Sequence, residues 1–183
     1  MLEDHAKIAA LIDQAGEIAG RKKLQKMVYI LQKIGFPFHE TYRFLFYGPY
    51  SEELTMQLEE LCDFGFLLEK QKETGGKRRY CYRLTEEGRT FLAHAENQLP
   101  SVKSAVEKLN AETAAFLELV SILLYFDRLP RESAVEKAQA IGKHFNQTDV
   151  RRAYTFIAAL YANKPFGPSA RIRGNKNVYI QGG

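Results

Sequence analysis

Tryptophan is absent from this 183-residue chain, and cysteine nearly so: Cys62 and Cys81 are the only two, and they form no Cys-x-x-Cys pair. Two thiols so far apart make no disulfide framework, and His5, His39, His94 and His144 are too dispersed for the paired ligand spacing of a structural zinc site. Long apolar runs are missing as well. The longest, residues 117–126, contains Glu118 and falls short of the roughly 18 apolar residues that a membrane span needs, so no transmembrane helix is expected. Met1-Leu2-Glu3-Asp4 places acids where a secretory signal carries positive charge, and no apolar stretch follows, which predicts a cytoplasmic protein. Nor is there a Gly-x-x-x-x-Gly-Lys phosphate loop, a Gly-x-Ser-x-Gly elbow or a His-Glu-x-x-His metal motif. The expectation is a non-enzymatic protein without a metal or cofactor.

What is present is ordinary for a globular chain, with 45% hydrophobic and 26% charged residues and a formal charge of +4. That mild basic excess is compatible with a polyanionic partner, but its distribution says more than its total. Apolar residues at helical spacing predict a helix over residues 4–17 and a second over 21–34, where Leu24, Met27, Val28, Ile30, Leu31 and Ile34 alternate with lysines on a wet side. Gly35 and Pro37 stop the second helix. Residues 42–47 read as one short strand. Ser51 is a predicted N-cap for a third helix running to about Phe64, followed by acids that favour the positive helix end. Residues 66–72 and 78–84 are strand-like and joined through Gly75-Gly76, a β-hairpin, and Thr85 caps the next helix. Four further helices are predicted over 102–110, 112–126, 131–144 and 148–161, with Pro130 and Asn146 or Thr148 near the starts of the last two.

The fold class that follows is mainly α with a small β-hairpin wing: a winged helix-turn-helix domain over residues 1–96, a helical region over 97–164 that packs on it or dimerises, and a basic tail over 165–183. Residues 20–29, Gly-Arg-Lys-Lys-Leu-Gln-Lys-Met-Val-Tyr, and 47–54, Tyr-Gly-Pro-Tyr-Ser-Glu-Glu-Leu, resemble the bacterial YwgA family. That resemblance implies a winged-helix fold and no established reaction. A narrower similarity, over residues 24–29 and the Gly48-Pro49 turn, is to an antitoxin-like domain associated with proteolysis adaptors. Residues 84–92 are similar to the wing-to-helix junction of winged-helix transcription regulators.

A winged helix that reads DNA lays its third helix in the major groove, where cations and amides meet bases and phosphates. Between Ser51 and Gly65 there is no Lys or Arg, whereas Glu52, Glu53, Glu59, Glu60 and Asp63 are acidic. Ser51, Thr55 and Gln57 remain as uncharged polar candidates for groove contacts, and Tyr50 for a phosphate at the helix entrance. Positive charge collects instead on the hairpin, at Lys70, Lys72, Lys77, Arg78, Arg79 and Arg83, and before and within the second helix, at Arg21, Lys22, Lys23 and Lys26. Strand alternation sets Arg79 and Arg83 on one face and Arg78 on the other. The nucleic-acid-binding set expected is therefore Lys22, Lys23, Lys26, Tyr50, Ser51, Thr55, Lys77, Arg78 and Arg79. It belongs to a transcription regulator binding double-stranded DNA, with a homodimer as one arrangement. The alternative is a protein-interaction module or adaptor that offers a protein partner its acidic third helix or its C-terminal helices. Each cluster also has a plain explanation as solvated surface, or as charge that protects a strand edge.

Overall fold

The structure, a computed structural model, describes residues 2–96, 99–142 and 144–163. The expected basic tail, with Arg171, Arg173 and Lys176, lies outside the described residues.

Helix α1 (Leu2–Ala15) buries an unbroken run from His5 to Ile12, so it is enclosed rather than merely amphipathic. A two-residue strand β1 (Ile18–Ala19) leads into α2 (Arg21–Ile34), the centre of the molecule, where every residue from Leu24 to Leu31 is buried. Helix α2 has the range that its sequence pattern predicts, and it ends at Gly35 in the left-handed region, φ 106°.

The segment read as one strand over 42–47 is instead a hairpin, β2 (Arg43–Leu45) paired with β3 (Gly48–Tyr50), with Arg43 opposite Tyr50 and Leu45 opposite Gly48. Gly48 makes the reversal possible. Its φ is +88°, and an added Cβ would come within 3.0 Å of Ile122, so backbone sits where no side chain fits. Ser51 caps α3 (Glu52–Asp63), its Oγ accepting from the Leu54 N–H at 3.1 Å.

Strands β4 (Leu67–Thr74) and β5 (Lys77–Leu84) are joined by Gly75-Gly76, both at positive φ, as the tightest hairpin turns require. β1 adds to the other edge of β5, giving an antiparallel sheet in the order β1-β5-β4. Thr85 caps α4 (Glu86–His94).

The remaining helices are α5 (Lys103–Asn110), α6 (Ala114–Tyr125), α7 (Arg131–Ile141) and α8 (Gln147–Ala162). Pro130 precedes α7, and Asn146 forms a reciprocal capping box with Asp149 at α8. Helix α6, buried from Phe116 to Leu124, packs along α2, so one continuous apolar cluster runs from α1 to α8. The molecule is thus mainly helical with two small antiparallel sheets. No described helix is long and apolar enough to cross a membrane, and Cys62 and Cys81 are free thiols.

Candidate functional site

The β4–β5 register sorts charge by face. Lys72 lies directly opposite Arg79, Lys70 opposite Cys81, and Leu68 opposite Arg83. With the two-residue period of a strand, Lys70, Lys72, Lys77, Arg79 and Arg83 share one face, while Glu69 and Glu73 fall on the other with Arg78, Tyr80 and Tyr82. Like charges set directly opposite each other destabilise a ladder. Glu17 relieves this in part by pairing with Lys72 at 2.7 Å. Among the described residues, Lys70, Lys77, Arg78, Arg79 and Arg83 have no ion-pair partner, and all five are exposed.

The strand pairing that completes the sheet carries the start of α2 to this hairpin. Ile18 pairs with Tyr82 and Ala19 with Cys81, and the Gly20 N–H donates to the Tyr80 carbonyl at 2.7 Å. Arg21, Lys22 and Lys23 therefore stand beside Arg78 and Arg79 around a cleft of about 310 Å³, with Glu112 as the one acid on its wall. Helix α2 begins without a side-chain cap and with no acid in its first turn. Three cations at the positive end of a helix run against its dipole. Each is held by a specific contact. Arg21 donates to both Glu69 oxygens, at 2.9 and 3.2 Å, and to the Tyr82 hydroxyl at 2.8 Å, which keeps it charged. Lys22 pairs with Glu118, and Lys23 donates to the Asn110 carbonyl, with burial lowering its pKa.

Of the residues nominated from sequence, Lys77, Arg78 and Arg79 are thus free and exposed, and Lys22 and Lys23 line the adjoining cleft. Two nominations are corrected. Lys26 is 1% exposed and donates to the Pro49 carbonyl at 2.6 Å, because Tyr29 and Ile30 one turn on leave no wet strip on this side of α2. Ser51 is wholly buried, with its hydroxyl capping α3 and its backbone N–H and C=O both bonded to the Gln25 amide. Tyr50 and Thr55 point their polar atoms at each other, 2.8 Å apart, and Thr55 also accepts from Gln25. What α3 presents outward is Glu52, Glu53, Met56, Glu59 and Asp63.

Lys26 lines a cavity, also about 310 Å³ and open to solvent on one side, between α2, the β2–β3 hairpin, α3 and the base of β4–β5. Tyr47, Tyr50, Tyr82 and Leu58 form much of its wall, and Arg21, Lys22 and Gln25 reach it from α2. Burial pulls the Lys26 ammonium down to about 8, against the nearby Glu118, which favours its charged form. Burial raises the hydroxyls of Tyr47 and Tyr82. Gln25, Tyr47, Glu118 and Tyr82 were not nominated from sequence. Glu118 alone carried a signal, as the single charge inside the longest apolar run.

No family model matches the chain. An uncharacterized protein, YwgA, of Bacillus subtilis (strain 168) is 52% identical over 141 residues, covering 77% of this chain and 85% of the relative.

Proposed function

Because the chain belongs to the YwgA family, whose matched relative has no stated activity, we propose from the site itself a winged helix-turn-helix module. It binds double-stranded DNA through the wing, and regulates transcription by binding rather than by catalysis. The element order α1-β1-α2-β2-β3-α3-β4-β5, a winged-helix order with the β2–β3 hairpin inserted between α2 and α3, and the sheet order β1-β5-β4 support the winged-helix reading. The observation that carries DNA binding is the hairpin face with five cations and no acid, four of them without an ion pair among the described residues.

Such a face neutralises phosphates and releases counterions, and carries no sequence information of its own. The acidic outer face of α3 argues against deep insertion of that helix into a groove. The reading is therefore of backbone-dominated binding, centred on Lys77, Arg79 and Arg83, with Arg78, Lys22 and Lys23 at its border. Fluorescence anisotropy on a labelled duplex across a salt series tests it. Lys77→Glu with Arg79→Glu is expected to weaken binding more than tenfold and to reduce the slope of log K against log salt by about 2. Unchanged affinity and slope would remove the wing from the interface.

A second reading, a protein-interaction module, is favoured by one observation. Met56 and Phe64, 60% and 54% exposed, sit among the acids of α3, a surface suited to a basic partner with apolar anchors.

A further inference from the structure

Lys26 is a buried ammonium with unused donors. It carries three N–H groups, is 1% exposed, and among the described residues makes a single hydrogen bond, to the Pro49 carbonyl at 2.6 Å. The Tyr47 ring, 5.4 Å from Nζ, adds a cation–π contact. Burying a charge with one acceptor is costly, and side chains are normally arranged to avoid it. Here the space beside the charge is kept open. The cavity with Lys26 in its wall lies beside the charge, between α2, the β2–β3 hairpin and α3.

The other charges around the cavity are already matched. Arg21 is held by Glu69 and Lys22 by Glu118, while Glu59 is exposed at the rim. One buried positive charge is therefore left to meet a ligand. That favours a monoanion with two acceptor oxygens over a phosphate dianion, which would need a second free cation. The walls are aromatic and apolar, with Tyr47 edge-on to both Phe46 and Tyr50 at 4.5 and 6.0 Å between centroids and Leu58 beside them. Offset or edge contacts with such rings suit a flat π-system, and about 310 Å³ is at the small end for ligand cavities.

We propose that this cavity is a binding site for a small aromatic monocarboxylate, whose carboxylate accepts from Lys26 Nζ and whose ring packs among Tyr47, Tyr50 and Leu58. The site goes beyond the wing surface and stands whether or not the wing binds DNA. Its ligand would contact Arg21 and Tyr82, which tie the wing base to α2.

The test uses the full chain with 13C-labelled lysine, the Lys26 Cε resonance being assigned by its loss in Lys26→Met. Benzoate and 4-hydroxybenzoate are the probes, benzamide the uncharged control and sulfate the dianion control. At pH 7 both carboxylates are expected to shift the Lys26 resonance saturably, while benzamide and sulfate leave it unmoved. Affinity is expected to fall at least tenfold by pH 9.5, because the free ammonium titrates at about 8. The hydroxyls of Tyr47 and Tyr82, raised by burial, remain neutral there. Tyr47→Leu, which keeps Lys26, is expected to weaken the carboxylates severalfold, so the result does not hang on Lys26→Met folding. Three results would each overturn the proposal: no carboxylate response at millimolar concentration, a folded Lys26→Met that binds benzoate undiminished by titration calorimetry, or sulfate binding as tightly as benzoate.

Discussion

Single residues in this protein are placed at odds with their own chemistry, and Glu40 shows it most plainly. It is 6% exposed, its Oε2 has no hydrogen-bond partner among the described residues, and burial together with Glu53 and Asp4 raises its carboxyl to about 7, while Gln57 and His5 oppose the shift. A carboxyl raised above its unfolded value of 4.5 is bound to its proton more firmly in the folded chain. Its contribution is therefore complete below about 4.5 and is lost as pH climbs to about 7. Glu40→Gln removes that loss. Urea unfolding is expected to find the variant and the natural protein similar at pH 4.5 and the variant more stable by roughly 1–3 kcal/mol at pH 8. An equal difference at both pH values would show that Glu40 titrates normally. The same reasoning explains why Lys26 was misjudged from sequence. Lysine in an amphipathic helix reads as solvated, and only the three-dimensional meeting of α2 with the β2–β3 hairpin and α6 reveals that this one is buried, at the wall of a cavity.

Elements were legible where their ends carry chemistry. Ser51, Thr85 and Asn146 all cap as their side chains predict, and Gly75-Gly76 turns the wing. The β2–β3 hairpin was not legible, because Phe46 and Tyr47 are poor turn residues and the reversal depends on Gly48 lying against Ile122, some seventy positions on. Gly88 is a comparable hidden constraint. It is the residue whose N–H the Thr85 hydroxyl caps, and an added Cβ would stand 2.2 Å from the Phe66 carbonyl and 2.9 Å from Leu84. Backbone cannot yield as a flexible side chain does, so α4 must shift away from the sheet. Gly88→Ala is expected to lower stability by about 2 kcal/mol or more, although alanine is the better helix former by ~1 kcal/mol. A gain in the denaturation midpoint would mean that the close approach to Phe66 is absent.

At the scale of the whole molecule, the division of the chain near residue 97 describes its sequence better than its packing. Helix α6 lies along α2, the Gln14 amide accepts from the Val102 N–H at 3.0 Å, and the Asn110 amide donates to the Glu17 carbonyl at 2.9 Å. A chain ending at residue 96 would bare the α2 surface that α6 covers, including Lys26 and the neighbourhood of Gly48. That fragment is expected to lose cooperative thermal unfolding, and the full chain is expected to melt in one transition by both circular dichroism and calorimetry. Two separate transitions in the full chain would contradict this. The helix ranges of the second half could be read from apolar spacing; their contacts with α2 could not, since periodicity states which face is buried and not against what.

The short strand β1 has a consequence in time. Its two residues join Ile18 to Tyr82, so they close a long loop whose entropy must be met before the pairing rewards it. The β4–β5 hairpin, by contrast, closes through two glycines and forms from neighbours. The basic wing is therefore expected to form before the cleft beside α2, and the cavity around Lys26 later still, once α6 packs along α2. A chain emerging during synthesis would present the cations of the wing to solvent while the cleft and the cavity behind them were still unformed.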